Sequence, residues 1–309
     1  MPSRGHLEEF WMKERPKKKI DLTAYLFIAP QLILFLIFFV IPAGMGIYAA
    51  FTKWDIFSSQ LPQFVGLDNF KEILTNSEST YYRFFRTGFT NTLIFVLISV
   101  PIGIVLPLLL ALAINQKPFA HGFFQSLFYM PTVLSISTVI LIWYYMFNKN
   151  LGLINNFFHT KVNWLGIQPY AWIAIVLVTV WWTIGTNMVI YLAALNGVNK
   201  DVLEAADVDG AGPVKKFFSI VIPSIRNQLA YTVVLTTVAQ FNIYGQPLML
   251  TNGGPNNSTN VLLMVIRDLA FPSFGGKSIS GLASAMALML GAVMILIALL
   301  QYRFVGDEE

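Results

Sequence analysis

The residues of this chain with the most varied polar chemistry lie together at 199–223, between two long apolar runs. This stretch carries carboxylates at Glu204 and Asp209, lysines at Lys215 and Lys216, and a glycine at Gly210. Such a set offers charge pairing, hydrogen bonding and a tight turn, whereas a handful of residues would suffice to join two hydrophobic helices. The composition of the stretch therefore predicts a docking element on the cytoplasmic side of a membrane.

Metal, disulfide and nucleotide chemistry find no support in the sequence. The chain has no cysteine, and His6, His121 and His159 are scattered without metal-ligand spacing. A phosphate-binding G-x-x-x-x-G-K-[ST] loop is missing, so the chain cannot bind ATP by that route. The net charge of +4 fits the basic cytoplasmic side of a membrane protein. We therefore expect no metal, no cofactor and no nucleic acid on this chain.

The composition is that of an integral membrane protein. Hydrophobic residues make up 56% of the chain and charged residues 12%, with a mean hydropathy of +0.63. A soluble domain carries about 25% charged residues. At about 20 apolar residues for each spanning helix, 309 residues accommodate six spans with short loops. The expected fold is therefore an all-α membrane domain of six transmembrane helices, without a separate soluble domain.

Three parts follow along the chain: a basic segment at 1–21, a transmembrane domain at 22–302 and a tail at 303–309. The first apolar run is too long for a cleavable signal peptide, whose hydrophobic region has about 7 to 15 residues, so it should remain as an anchor. The six predicted spans are 22–51, 90–114, 124–147, 170–195, 229–250 and 282–302.

The distribution of basic residues predicts the orientation. Arg15, Lys17, Lys18 and Lys19 immediately precede the first span, and such clusters stay in the cytoplasm. Six spans then return the C-terminus to the cytoplasmic side. The same count places the 199–223 stretch in the cytoplasm and the segments 52–89, 148–169 and 251–281 outside.

The six predicted spans contain no Asp, Glu, Lys, Arg or His. Ion-coupled carriers usually need an ionisable or strongly coordinating group at membrane depth. An active transporter without such a group and without a nucleotide site must take its energy from another subunit. The sequence therefore disfavours an ion-driven secondary carrier. It also disfavours a membrane-embedded enzyme or receptor component, because no catalytic group lies at membrane depth.

Local signals predict two short helices joined by a turn within 199–223. Asn199 can cap a helix from Lys200 to Asp207, and Gly210 breaks it. Pro213 suits the first turn of a second helix, which would run from Val214 to Ile222. That helix would place Phe217 and Val221 on one face. Periodicity alone leaves an interfacial amphipathic connector as an alternative.

The same stretch resembles the EAA loop of the membrane subunits of binding-protein-dependent ABC importers. The matching residues are Glu204, Ala205, Ala206, Asp209, Gly210, Ala211, Phe217, Ile220 and Pro223. Flanking segments are similar to the carbohydrate branch of that family, which includes the larger membrane subunit of the maltose transporter: FIAP at 27–30, FVGLDNF at 64–70, MFN at 146–148, GLIN at 152–155, WLG at 164–166 and LTNGGP at 250–255. The resemblance implies the six-helix permease (MetI-like) fold with a cytoplasmic coupling helix.

The resemblance also implies partners and a location. The chain would form a heterodimer with a second, related permease subunit in a prokaryotic cell membrane. Two copies of a cytoplasmic ATPase would hold ATP and Mg²⁺, and an extracellular or periplasmic solute-binding protein would deliver a sugar. The segment 251–281, rich in Gly, Asn and Ser, could reach into that protein as a loop. The residues expected to couple to the ATPase are Glu204, Ala205, Ala206, Asp209, Gly210, Ala211 and Phe217.

Position-by-position matching to the maltose relative implies a set of sugar-facing residues: Thr132, Ile136, Trp182, Thr183, Thr186, Thr236, Gln240 and Ile243, with Tyr244 and Gln246 just beyond. Spacings of three or four residues would place each group on one helix face. Hydroxyl and amide groups suit a neutral sugar, and an indole can stack on its apolar face. The alternative is that Thr and Gln merely bond helix to helix. A glycerol phosphodiester remains a rival cargo, although its phosphate would find no cation in the spans.

Overall fold

The computed structural model describes residues 22–272 and 277–306. These residues fall into two compact units, which divide between Tyr48 and Ala49. One antiparallel hairpin, β1 (Thr52–Lys53) with β2 (Gln63–Phe64), accompanies a long series of helices. The helices are α1 (Leu22–Phe35), a π-helical stretch (Leu36–Val40), α2 (Ile41–Ala50), α3 (Asp68–Leu74), α4 (Thr80–Asn115), α5 (His121–Val133), α6 (Ile136–Met146), α7 (Leu153–Phe157), α8 (Tyr170–Asn196), α9 (Lys200–Val208), α10 (Pro213–Lys216), a second π-helical stretch (Phe217–Val221), α11 (Ile222–Ser224), α12 (Arg226–Phe241), α13 (Gly245–Thr251), α14 (Leu262–Ala270) and α15 (Ser280–Gly306).

Among the described residues, four helices are long and apolar enough to cross a membrane: Tyr25–Ala50, Thr80–Asn115, Tyr170–Asn196 and Ser280–Arg303. Two further helix pairs qualify only if each bent pair counts as one span. The α5–α6 pair is bent by 103°, and the pair Pro213–Ser224 with α12 is bent by 72°. The expected all-α membrane class is confirmed, with four to six candidate spans.

The third apolar segment, predicted as one helix over 124–147, is two helices. Leu134 and Ser135 are extended between α5 and α6. Pro131 cannot donate a hydrogen bond to the carbonyl of Leu127, which weakens the end of α5. The Ser135 side chain then accepts the backbone N–H of Thr138 and caps a new helix. Proline and a capping serine four residues apart therefore divide the segment.

The fifth apolar segment, predicted over 229–250, is also interrupted. Helix α12 ends at Phe241, and α13 begins only at Gly245. Pro247 has no N–H for the carbonyl of Ile243, so one helix could not run through this point without a lost hydrogen bond. The second segment differs in the other direction, because α4 starts at Thr80 rather than 90, with Ser79 capping its first turn.

The second unit is held together by close helix packing around α8. The side chains of Phe95 on α4 and Ala174 and Val178 on α8 are fully buried in one cluster. At Gly185, an added Cβ would lie 2.7 Å from the carbonyl oxygen of Phe128 and from Cα of Tyr129, so α5 touches the α8 backbone there. Small residues that allow backbones to approach are typical of membrane helix interfaces. Helix α8 is therefore packed closely against both α4 and α5.

Candidate functional site

The residues 199–223 form a helix–turn–helix element. Asn199 accepts the backbone N–H of Asp201 at 2.9 Å, which caps the start of α9. Helix α9 ends at Val208, one residue beyond the predicted end. Gly210 follows with φ +73°, a left-handed conformation that residues with a Cβ adopt at a cost. The N–H of Ala211 bonds the carbonyl of Ala206 at 2.9 Å and closes the turn. The predicted first helix and glycine turn are confirmed.

The second half of the element is anchored in the helix bundle. Pro213 begins the helix as predicted, and the helical stretch continues through the π turn to Ser224, two residues beyond the expected Ile222. Phe217 and Val221 both pack against a buried cluster that includes Tyr191 of α8. The prediction that these two side chains share a face is confirmed. The element is thereby fixed to the ends of α4 and α8.

The opposite surface of the element is open to solvent. Glu204, Ala205, Asp209 and Gly210 are exposed, and Ala206, Ala211 and Phe217 are partly buried. Exposed apolar side chains lie beside them, with Val208 89%, Val214 71% and Phe218 65% exposed. Across the turn, Lys216 Nζ lies 2.5 Å from Asp207 Oδ1 and joins the two short helices. The element thus combines a fixed base with an uncovered surface of mixed polarity.

Thr132 and Ile136 do not share a helix face, contrary to the expectation from their spacing. Thr132 lies in α5 and Ile136 in α6, on opposite sides of the break. The Thr132 hydroxyl donates to the carbonyl of Tyr129 at 2.6 Å. Trp182 Nε1 donates to the carbonyl of Leu134 at 3.1 Å, so the indole edge satisfies the backbone that the break leaves open. The Trp182 side chain also packs against the buried cluster of α4, α6 and α8.

The break brings parts of the expected site together. Gly185 lies three residues after Trp182 on α8, and an added Cβ at Gly185 would lie 3.2 Å from Cγ2 of Thr132 on α5. Gly245 directly follows Tyr244 in the chain, and an added Cβ at Gly245 would lie 2.7 Å from Cδ1 of Ile136. Residues from α5, α6, α8 and the start of α13 therefore meet at this point.

The remaining expected residues are distributed between α8, α12 and the chain beyond α12. Thr183 donates to the carbonyl of Thr179 at 2.9 Å, and Thr186 is exposed. Thr236 and Gln240 are buried on one face of α12, as their spacing predicts. Ile243 is also buried but lies past Phe241, where the helix has ended, so the helical spacing argument does not apply to it. Gln246 is buried in α13.

Sequence reasoning missed Asn187. Its Nδ2 donates to the carbonyl of Gly103 on α4 and to Oγ1 of Thr236 on α12, each at 2.9 Å. The sequence did contain a signal for this contact: an asparagine within one apolar helix, and in another a proline, Pro107, which leaves a backbone carbonyl without a donor. The pairing could not be found from one sequence because it depends on which helices are neighbours.

The segment 251–281, predicted to be external, is not one long loop. Asn91 Nδ2 donates to the carbonyls of Asn257 and Asn260 at 3.0 and 2.9 Å, which fastens this part of the segment to α4. Helix α14 follows, with Leu262 and Met264 buried. The expectation of a loop is therefore wrong for Leu262–Ala270, and hydrogen bonds from Asn91 and apolar burial hold this part of the chain to the bundle. Contact of the segment with a solute-binding protein stays a prediction.

The segment 52–89, also predicted to be external, contains a carboxyl group with a lowered pKa. Hydrogen bonds from Ser79 and Asn76 lower the pKa of Glu72, which lies at the end of α3. Asn76 Nδ2 donates to Glu72 Oε2 at 2.8 Å. These bonds favour the ionised carboxylate and help to define the turn that leads into α4.

The protein has many relatives among transport subunits. The probable ABC transporter permease protein YesP of Bacillus subtilis (strain 168) is 32% identical over 306 residues, covering 97% of this chain and 95% of that protein. The sn-glycerol-3-phosphate transport system permease protein UgpA of Pectobacterium atrosepticum is 30% identical over 302 residues, covering 94% and 96%. The multiple sugar-binding transport system permease protein MsmF of Streptococcus mutans serotype c is 30% identical over 280 residues, covering 90% and 93%.

Solved structures show the same fold. A chain of a bacterial ABC transporter involved in the import of the acidic polysaccharide alginate superposes with a TM-score of 0.78 at 22% identity, covering 93% of this chain and 96% of that one. The model of the family described as binding-protein-dependent transport system inner membrane component matches residues 73–306. This protein belongs to the binding-protein-dependent transport system inner membrane component family, the ABC transporter permeases.

Proposed function

We propose that this permease forms half of the translocation pathway of an ATP-driven importer for a neutral sugar or oligosaccharide, and that residues 199–223 couple it to a cytoplasmic ATPase. The observation that carries the coupling is the helix–turn–helix element itself. Phe217 anchors it in the bundle, while Val208 and Phe218 on its open surface remain uncovered. A fixed base with an exposed apolar surface suits the transmission of force from a docked subunit.

The proposed partners follow from this division of labour. A second, related permease subunit would complete the pathway, two ATPase subunits would bind ATP and Mg²⁺, and a solute-binding protein would dock outside. One solved relative is described in complex with an alginate pentasaccharide-bound periplasmic protein, which supports the last of these. We place the assembly in a prokaryotic cell membrane, with both termini of this chain in the cytoplasm.

Uncharged polar side chains support a neutral cargo. Thr236 and Gln240 are buried on α12, and Trp182 presents a ring next to the break between α5 and α6. We propose that these residues, with Thr132, Ile136, Thr183, Thr186, Ile243 and Tyr244, line the sugar pathway. Hydroxyl and amide groups can exchange hydrogen bonds with sugar hydroxyls without leaving a buried charge unpaired. The name of MsmF refers to sugar and supports the same class of cargo.

Glycerol 3-phosphate is the second candidate cargo, because several relatives are named for its transport. A phosphate ester would require a cationic partner, and the six predicted spans contain no Lys or Arg. Such a cation would have to come from the second permease subunit. An ion-coupled carrier is the third candidate and would lose uptake when an uncoupler collapses the ion gradient.

The test is transport by the complete assembly in vesicles. The chain, its second permease subunit and the ATPase are reconstituted together, and uptake of labelled maltose, sucrose, raffinose and glycerol 3-phosphate is measured with the solute-binding protein present. We expect ATP-dependent uptake of a sugar that is insensitive to uncoupler. Gly210→Glu should abolish uptake while the assembly still forms, because a bulky charged residue cannot easily adopt φ +73° in the turn.

Gly212→Ala is the matched control. Gly212 has φ −65° and its added Cβ would meet no atom within 4 Å, so alanine fits without strain. This variant should transport at the unmodified rate. Normal uptake by Gly210→Glu would refute the coupling role, and uptake of glycerol 3-phosphate alone would replace the sugar by the rival cargo.

A further inference from the structure

Pro107 leaves a carbonyl without its helical partner in the middle of α4. In an α-helix the carbonyl of Gly103 would accept the N–H of residue 107, and proline has none. At membrane depth, a carbonyl without a donor has no water to bond, so a neighbouring group must supply one. The carbonyl of Gly103 therefore depends on another helix.

Asn187 supplies that donor, and the same nitrogen donates a second hydrogen bond to a threonine hydroxyl on α12. Its Nδ2 lies 2.9 Å from the Gly103 carbonyl and 2.9 Å from Oγ1 of Thr236. An amide nitrogen carries two hydrogens, so both are committed in this arrangement. One side chain on α8 therefore joins α4 and α12 through two separate hydrogen bonds.

The hydroxyl of Thr236 consequently differs from those of its neighbours on α12. Thr232 donates to the carbonyl of Gln228 at 2.9 Å, and Thr237 donates to the carbonyl of Val233 at 2.7 Å. Thr236 instead accepts from Asn187, and within residues 22–272 and 277–306 its own proton has no hydrogen-bond acceptor. A hydroxyl held as an acceptor on one side has its proton left for a further partner.

We propose that Asn187 is a positioning residue of the pathway: it orients the Thr236 hydroxyl to donate to an oxygen of the passing solute, and it satisfies the carbonyl freed by Pro107. The proposal rests on the proposed function, in which Thr236 faces the cargo. The solute atom that fits is an uncharged hydroxyl or ether oxygen, because a hydroxyl donor neutralises no charge.

Two double-mutant cycles separate the positioning role from simple packing. One combines Asn187→Leu with Thr236→Val, and the other combines Asn187→Leu with Pro107→Ala. Asn187→Leu removes both donors, and Thr236→Val removes the hydroxyl at nearly constant shape. Pro107→Ala restores a backbone N–H for Gly103. All variants are measured in the complete reconstituted assembly, by the thermal unfolding midpoint without substrate. Initial uptake is measured with whichever of maltose, sucrose or raffinose the unmodified assembly transports fastest, at saturating binding protein.

We expect Asn187→Leu to reduce uptake about threefold to tenfold, the range that one interhelical hydrogen bond in a membrane supports. Adding Thr236→Val to Asn187→Leu should reduce uptake no further, since the first change removes a hydroxyl that the second has already left without its orienting donor. Adding Pro107→Ala to Asn187→Leu should return the unfolding midpoint toward the value of the unmodified assembly, but uptake should stay low. Binding-protein-stimulated ATP hydrolysis should persist in each variant.

If both uptake and the unfolding midpoint recover in Asn187→Leu/Pro107→Ala, Asn187 acts only in helix packing and the proposal is overturned. Additive changes in the unfolding midpoint for Asn187→Leu and Thr236→Val would also overturn it, and that cycle needs no substrate. Failure of the proposed function is a different observation, namely that the unmodified assembly takes up none of the three sugars when ATP is supplied.

Discussion

At the scale of single residues, Gly185 is a position between two helices where a side chain does not fit. Any side chain would place Cβ 2.7 Å from the backbone of α5, at the carbonyl oxygen of Phe128 and at Cα of Tyr129. Backbone atoms cannot move aside as the end of a flexible side chain can. We expect Gly185→Ala to destabilise the protein by about 1–3 kcal/mol, the usual cost of overpacking, and to lower its thermal unfolding midpoint in detergent.

Gly291 on α15 is the matched control for Gly185, because an added Cβ there would meet no atom within 4 Å. Gly291→Ala should leave the unfolding midpoint unchanged or raise it, since alanine loses less backbone entropy in a helix than glycine does. An equal loss of stability in both variants would show that the close approach of α5 to α8 is not what limits substitution at Gly185.

Residue-level reasoning from the sequence worked where a helix is continuous and failed where it is interrupted. The face shared by Phe217 and Val221, and that shared by Thr236 and Gln240, follow from helical spacing. The pairing of Thr132 with Ile136 does not, because spacing presumes one helix and Ser135 starts another. Asn187 was not recognised, because its role depends on a carbonyl in a different helix.

At the scale of elements, the ion pair of Lys216 with Asp207 connects the two short helices of the helix–turn–helix element at 199–223. The Asp207 side chain is 59% exposed, so the pair contributes little to global stability. The pair joins α9 to the helix that begins at Pro213, so we expect its effect to be local to this turn. We expect Lys216→Glu to lower sugar uptake several-fold through repulsion from Asp207, with little change in the unfolding midpoint.

Exchanging the two charges in Asp207→Lys/Lys216→Glu should restore much of the uptake, because the attraction across the turn returns with opposite polarity. The measurement is the ratio of sugar taken up to ATP hydrolysed in reconstituted vesicles. A double variant as defective as Lys216→Glu would mean that Lys216 contacts the ATPase directly rather than bracing the turn.

The elements themselves were predictable to different degrees. Caps and turn residues gave the boundaries of α9 and the position of its glycine turn within one residue. Hydropathy gave the existence of the apolar segments, but it does not register the points where a proline and a cap divide them. That is why α5 with α6, and α12 with α13, were each predicted as one helix. Helix α14 was missed because its apolar face is too short to stand out in a loop-like segment.

At the scale of the whole molecule, the predicted orientation rests on the N-terminal basic cluster and an even number of spans. The absence of cysteine in the sequence allows a direct test, since any introduced thiol is the sole site in this chain for a maleimide. Val208 in the helix–turn–helix element is 89% exposed, and Leu151 in the predicted external segment 148–169 is 82% exposed. Both positions can therefore accept cysteine without disturbing the core.

We expect Leu151→Cys to react with a membrane-impermeant maleimide in intact cells, or in spheroplasts where an outer membrane is present. Val208→Cys should react only after the membrane is opened, because positive charge retained in the cytoplasm places 199–223 on that side. Labelling of both variants after permeabilisation controls for accessibility of the thiol. Reaction of Val208→Cys from outside would reverse the topology, and it would remove the helix–turn–helix element from the reach of any cytoplasmic ATPase.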